Sequence, residues 1–268
     1  IIQIPCYNEA ETLAIALGAL PRKVPGIDTV EWLIINDGSI DGTLDVARQC
    51  GVDHIVNFKK NQGLAKGFMA GLAEALAQDA DIIVNTDADN QYEAKDIELL
   101  VKPILEQKAD YVIGARPIST TKHFSVLKKL LQHVGSWVVR KASSTDVPDA
   151  PSGFRAMSRR CAMQLNVYSE YTYTLETIIQ AGQKNMAITS VPIRTNEDLR
   201  PSRLFKSMPG YVWRSMVTIV RIFIVYQPFR FFMSIAMVLL IMGFLIGLRF
   251  LYYYFSGDGS GHIQSVIL

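Results

Sequence analysis

Across the first 114 residues, short apolar runs alternate with amphipathic segments of helical length. The runs are Ile1–Pro5, Val30–Asn36, Asp53–Phe58, Asp81–Thr86 and Asp110–Gly114. They are β-branched and continuous, as strands covered on both faces should be. Between them, Glu9–Leu20, Asp41–Cys50, Leu64–Gln78 and Ala94–Lys108 carry apolar residues at helical spacing. This order predicts an α/β domain with a mainly parallel sheet, because a helix between consecutive strands returns the chain for parallel pairing. Ligands of such sheets bind at the carboxyl ends of the strands, so the residues just after each run carry the functional information.

The last third of the chain is different. Phe231–Leu248 is 18 residues without a charge, bounded by Arg230 and Arg249, and the apolar character continues to Phe255. At ~1.5 Å per residue this spans a hydrocarbon core of ~30 Å. Tyr252, Tyr253 and Tyr254 would sit at the far interface, where amphipathic aromatic rings are favoured. No acidic residue lies between Asp198 and Asp258, while Arg200, Arg203, Lys206, Arg214, Arg221 and Arg230 precede the span. The positive-inside rule therefore predicts residues 1–228 on the cytoplasmic side of a membrane. Tyr211–Gln227 reads as an amphipathic helix suited to the headgroup region. The expected organisation is a globular domain at 1–200, a basic loop with interfacial amphipathic helices at 201–228, a transmembrane helix at 229–255, and at 256–268 a loop leading into the start of a second span. The alternative for 229–255 is a buried core helix. Lys122–Lys141 reads as a further helix with a basic face.

Composition narrows the field. With 49% hydrophobic and 19% charged residues, the chain is neither disordered nor of low complexity. A net charge of +2 gives no footprint for nucleic-acid binding. Cys6, Cys50 and Cys161 are odd in number and widely spaced, which excludes a disulfide scaffold or zinc pattern and suits a reducing compartment. The chain opens on Ile1-Ile2, reads as trimmed at its start, and shows no signal-peptide pattern.

The strand ends are chemically loaded. Pro5-Cys6-Tyr7-Asn8-Glu9 follows the first run and offers Tyr7 to a flat ring. Asn36-Asp37-Gly38-Ser39 follows the second and places Asp37 where it could accept hydrogen bonds from a base or ribose. Asn61-Gln62-Gly63-Leu64-Ala65-Lys66-Gly67 follows the third, with Lys66 available to a phosphate. Each alone is also an ordinary turn or helix cap. The fourth is sharper: Asp87-Ala88-Asp89-Asn90-Gln91 puts two carboxylates and an amide oxygen where an apolar strand meets solvent, a donor set for a hard divalent cation. The competing reading is a polar turn capping the next helix.

Together with Gly114–Arg116, Asp149–Arg155 (DAPSGFR) and Arg200–Leu204, these stretches resemble, in order, the family 2 glycosyltransferases and, within them, the polyprenyl-phosphate (dolichyl-phosphate) sugar synthases. The resemblance implies a GT-A (Rossmann-like) nucleotide-sugar-binding domain. By position, Pro5, Tyr7, Glu9, Ile35 and Asp37 would hold the nucleoside. Asp87, Ala88 and Asp89 would line the diphosphate and ribose. Asp89, with Gln91 and Asp87, would hold Mg2+ or Mn2+. Arg116 resembles the arginine that meets the reacting phosphates, and Ser152, Gly153, Phe154 and Arg155 the segment beneath the acceptor phosphate. Asp89, Arg116 and Arg155 are thus the implied catalytic residues. Arg200 and Arg203 resemble the basic loop over the diphosphate, although that loop departs from the family pattern: Arg203 stands for a lysine, Glu197 lies near the usual arginine, and Arg200 or Arg194 would substitute.

The chemistry agrees with this resemblance. A phosphate monoester with a second pKa of ~6 is already ionised at neutral pH and needs cations rather than a general base. The DAPSGFR segment has an arginine and no histidine. The implied partners are a UDP- or GDP-linked sugar, a polyprenyl phosphate and a membrane, with a homo-oligomer admitted and no nucleic acid. Transfer by single displacement would invert the anomeric centre, as the resemblance implies. Two alternatives stand beside it. One is a processive polysaccharide synthase or other hydroxyl-directed family 2 enzyme, for which Glu197-Asp198 and Gln227-Pro228-Phe229-Arg230-Phe231 are near misses. The other is a non-catalytic membrane subunit keeping the fold.

Overall fold

The structure, a computed structural model, describes residues 1–117, 137, 140, 145–167, 173–196, 217, 220, 221 and 224–256. The chain divides into two compact units, Ile1–Met216 and Val217–Leu268.

The first unit is built on a seven-stranded sheet. Its elements in chain order are β1 (Ile2–Cys6), α1 (Leu13–Ala19), β2 (Trp32–Asn36), α2 (Thr43–Gln49), β3 (His54–Asn57), α3 (Leu64–Ala77), β4 (Ile82–Asn85), α4 (Ile97–Leu105) and β5 (Tyr111–Ala115), then β6 (Arg155–Ser158), α5 (Arg159–Ala162), α6 (Thr174–Gln183) and β7 (Ile188–Pro192). The spatial order is β3-β2-β1-β4-β6-β5-β7. β1 pairs in parallel with β2 on one side and with β4 on the other. The chain therefore reverses its direction of winding at β1/β4, the place where α/β sheets open a crevice for ligands.

All five expected strands form, each within two residues of its expected bounds. β6 was not foreseen. It runs antiparallel between β4 and β5, with Asn85 opposite Arg155 and Ile113 opposite Arg155. Its four residues, Arg-Ala-Met-Ser, are too few to show a periodicity. β7 closes the sheet in parallel with β5.

Burial follows from the double cover. Ile4, Leu33, Ile34 and Ile83 are fully buried, and α3 and α4 lay apolar faces against the sheet. Burying each such side chain contributes about 2 kcal/mol.

In the second unit, α7 (Pro228–Phe255) is 28 residues long, about 42 Å at ~1.5 Å per residue. Pro228 occupies its first turn, where a missing N–H costs nothing. It is long and apolar enough to cross a membrane, and none of its most apolar 18 residues is buried, so the buried-core alternative does not describe it. Gln227–Phe231 forms the start of this helix. The expected helix at Lys122–Lys141, the basic loop with Arg200 and Arg203, Glu197-Asp198, most of Tyr211–Gln227 and residues 257–268 lie outside the described residues.

Candidate active site at the strand ends

The loops after β1 and β2 are tied to one another. Asn8, in the left-handed region at φ 56°, donates its N–H to Ser39 Oγ (2.9 Å) and accepts from Ile40 N (2.9 Å). Glu9 N donates to Thr43 Oγ1 (2.8 Å), and the Glu9 carboxylate accepts from Thr12 Oγ1 (2.9 Å) at the start of α1. Tyr7 stays exposed and Pro5 half-buried.

Asp37 differs from the sequence-based expectation. Its carboxylate is 5% exposed and accepts from Gln62 N (2.7 Å), Gly63 N (2.9 Å) and Asn61 Nδ2 (3.0 Å). In this arrangement it fastens the loop before α3 instead of reaching for a base. Gly38 makes the close crossing beneath it. At φ +67°, an added Cβ would lie 2.3 Å from the Lys60 carbonyl carbon. Ile35 has its side chain fully buried under α3, against Gly67 and Gly71, which leaves only its backbone to line a nucleoside site. Ala88 sends its methyl into the core, leaving only its backbone to line a site. Lys66 is exposed on the first turn of α3.

After β4 the acidic loop turns sharply, with Asn90 at φ 57°. Burial, then the neighbouring Asp89 carboxylate, raise Asp87 from its ordinary range to about 7, against the pull of Arg116 and a hydrogen bond from Tyr92. Two carboxylates crowded in this way fit a hard dication, which removes the repulsion. Among the described residues no group of three or more His, Cys, Asp or Glu gathers for a metal. A cation here would complete its shell with an amide, water or substrate oxygens, as magnesium commonly does. Asp89 Oδ1 accepts from Gln91 N (3.1 Å), which fixes the carboxylate relative to its own loop.

The DAPSGFR segment packs directly against this loop. A Cβ on Gly153 would lie 2.9 and 3.1 Å from the two Asp87 carboxylate oxygens. Gly153 N donates to Tyr92 Oη (3.1 Å), and Gly153 O accepts from Asn85 Nδ2 (2.9 Å). Phe154 stacks on Tyr92 at 5.0 Å. Sequence reasoning singled out neither Tyr92 nor Asn85, although both flank the Asp87–Gln91 motif.

Arg155 is the largest correction. It is fully buried, and its guanidinium donates to Ser152 O (2.6 Å), Ala150 O (2.6 Å), Thr174 O (2.7 Å), Tyr111 Oη (2.8 Å) and Thr177 Oγ1 (2.9 Å). A cation so deep survives only by such complete pairing. It holds Asp149–Gly153 from beneath and cannot itself meet an acceptor phosphate. Ser152 is likewise fully buried, its hydroxyl accepting from Phe154 N (3.4 Å).

Arg116, at the end of β5, remains at the site. It binds Asp149 side-on, Nε to Oδ2 at 2.7 Å and Nη2 to Oδ1 at 3.0 Å, which leaves Nη1 uncommitted. Burial opposes its charge, but Tyr92, Asp149 and Asp87 hold its pKa above the ordinary value. Asp149, 33 positions away, is a partner that spacing could not reveal. Arg194, expected as a substitute in the basic loop, instead pairs through Nη2 with Oδ1 of buried Asp96 (2.6 Å).

The chain has relatives. Residues 1–165 match the model of Glycosyl transferase family 2. An undecaprenyl-phosphate mannosyltransferase from Micrococcus luteus is 27% identical, covering 81% of this chain and 91% of the relative. A UDP-N-acetylglucosamine–dolichyl-phosphate N-acetylglucosaminyltransferase from Methanococcus voltae is 28% identical, covering 72% and 83%. Among solved structures, glucosyl-3-phosphoglycerate synthase from Mycobacterium tuberculosis, crystallised with Mn2+, UDP and glucosyl-3-phosphoglycerate, superposes with a TM-score of 0.61 at 19% identity, covering 83% of this chain and 77% of that one. That likeness establishes the GT-A fold.

Proposed function

The chain belongs to glycosyl transferase family 2, and from that membership we propose that it transfers a sugar from a nucleotide diphosphate to a polyprenyl phosphate at a membrane surface. The observation that carries this reading is the contact between the acidic loop and the DAPSGFR segment: Asp87 lies against Gly153, with the Arg116–Asp149 pair alongside. In this reading the donor and acceptor elements meet at one corner of the sheet. The names of the relatives from Micrococcus and Methanococcus support a lipid-phosphate acceptor.

In this reading Pro5 and Tyr7 flank the nucleoside, with Glu9 and Asp37 shaping the loops around it. Asp89, Asp87 and Gln91 would hold Mg2+ or Mn2+, and Lys66, Arg200 and Arg203 would add positive charge to the diphosphate. When bound, the metal would supply charge neutralisation on the departing diphosphate. Arg116 Nη1, fixed by Asp149, faces the reacting phosphates. Ser152, Gly153 and Arg155 form the floor that holds Asp149 and Arg116 in place. An oxygen of the lipid phosphate forms the new bond to the anomeric carbon while the bond to the diphosphate breaks, inverting that centre and releasing the nucleoside diphosphate. Because the nucleophile is already an anion, no residue has to remove a proton. α7 anchors the enzyme where the lipid head group is presented, with the catalytic unit on the cytoplasmic face.

Membranes carrying the protein, incubated with polyprenyl phosphate, Mn2+ and a panel of radiolabelled UDP- and GDP-sugars, should pass label into an organic extract from one donor. Label entering a soluble glycan and none the lipid would overturn this reading in favour of a hydroxyl acceptor.

A further inference from the structure

The strand that leaves β7 does more than connect. Arg194–Asn196 runs antiparallel to the acidic loop: Tyr92 and Thr195 form a bridge, and Glu93 N donates to Arg194 O (3.2 Å). Its near end is anchored on Asp96, 1% exposed, which accepts from Arg194 N (2.6 Å) as well as from the guanidinium. At its far end, Asn196 reaches three consecutive carbonyls. Its side-chain Nδ2 donates to Asn90 O (2.9 Å) and Tyr92 O (3.2 Å), and its backbone N–H donates to Gln91 O (2.8 Å).

One peptide unit joins Asn196 to the Asp89 carboxylate. The Asn90–Gln91 peptide takes Asn196 Nδ2 on its oxygen and, from its own N–H, donates to Asp89 Oδ1. A planar peptide held at its oxygen cannot rotate without moving its N–H. This matters because Asn90 sits in the left-handed region, which asparagine tolerates but does not favour over the right-handed one, so bonds from outside the loop help to keep the turn.

We propose that Asn196 is a positioning residue that sets the orientation of Asp89 through the Asn90–Gln91 peptide, and so sets the affinity of the site for its divalent cation and nucleotide. The proposal rests on the reading of Asp89 as a metal ligand. It adds a residue outside the acidic motif, four positions before Arg200 and seven before Arg203. The strap thus joins the acidic loop to the stretch that carries Arg200 and Arg203.

The test uses the full-length protein in detergent, with Mn2+ titrated in the presence of UDP or GDP. Asn196→Ala removes the two side-chain hydrogen bonds and keeps the backbone one. It should weaken Mn2+–nucleotide binding about tenfold and speed hydrogen exchange of the Gln91 amide. The melting temperature of the nucleotide-free protein and the KM for polyprenyl phosphate should stay close to wild type. Asn196→Ser, whose short hydroxyl cannot span both carbonyls, should behave alike and serves if the alanine variant melts low. A Kd within twofold of wild type in both variants, or a loss that only tracks the folded fraction, overturns the proposal. Wild-type protein that binds Mn2+ with neither nucleotide overturns the metal reading and this proposal together.

Discussion

Asp37 and Asp87 occupy equivalent places, each just past the carboxyl end of a buried parallel strand, yet their surroundings are opposite. Asp37 is met by three hydrogen-bond donors from one loop. Asp87 has a hydrogen bond from Tyr92 but also a second carboxylate beside it, and burial together with that neighbour raises it to about 7 against the pull of Arg116. The first aspartate is satisfied by the protein and holds a turn. The second is left in conflict that a ligand would resolve, and such local conflict is what marks a site in an otherwise self-consistent fold.

This contrast can be broken by substitution. The largest effect should come from Asp89→Ala, which removes the expected principal metal ligand. Turnover measured by extraction of labelled lipid should fall by about 10³-fold, or roughly 4 kcal/mol, with the melting temperature little changed. Asp37→Ala should act on the other axis. Losing its charge-assisted hydrogen bonds should lower stability by about 3 kcal/mol in urea unfolding. If instead Asp37→Ala melted like wild type and lost only nucleotide affinity, its carboxylate would be a ligand contact and the contrast would collapse. A smaller effect is expected for Gly153→Ala, whose methyl would press on the Asp87 oxygens at 2.9 and 3.1 Å. Turnover should fall about tenfold, roughly 1.4 kcal/mol, while circular dichroism stays that of the wild type. Wild-type kinetics in Gly153→Ala would mean the acidic loop and the DAPSGFR segment are free to part.

What the chain announced in advance was the part encoded locally. The parallel strands and their intervening helices were legible because each is a continuous apolar run or a helical period. The acidic loop stood out because two carboxylates one residue apart seldom follow a buried strand for structural reasons alone. Features made by folding were hidden. The inward face of Ile35 depends on which way β2 meets α3, and the burial of Arg155 depends on an antiparallel strand too short to show a pattern. The pairing of Arg116 with Asp149, and the bonds from Asn196 to Asn90 and Tyr92, join residues 33 and more than 100 positions apart. No spacing rule reaches that far.

The most direct measurement is a crystal structure of the protein with Mn2+ and UDP or GDP. An anomalous manganese peak about 2.1 Å from an Asp89 carboxylate oxygen, with the nucleotide diphosphate on its other side and Arg116 facing it, is the predicted result. Nucleotide bound with its diphosphate away from Asp87 and Asp89, and manganese absent from that corner, would contradict it.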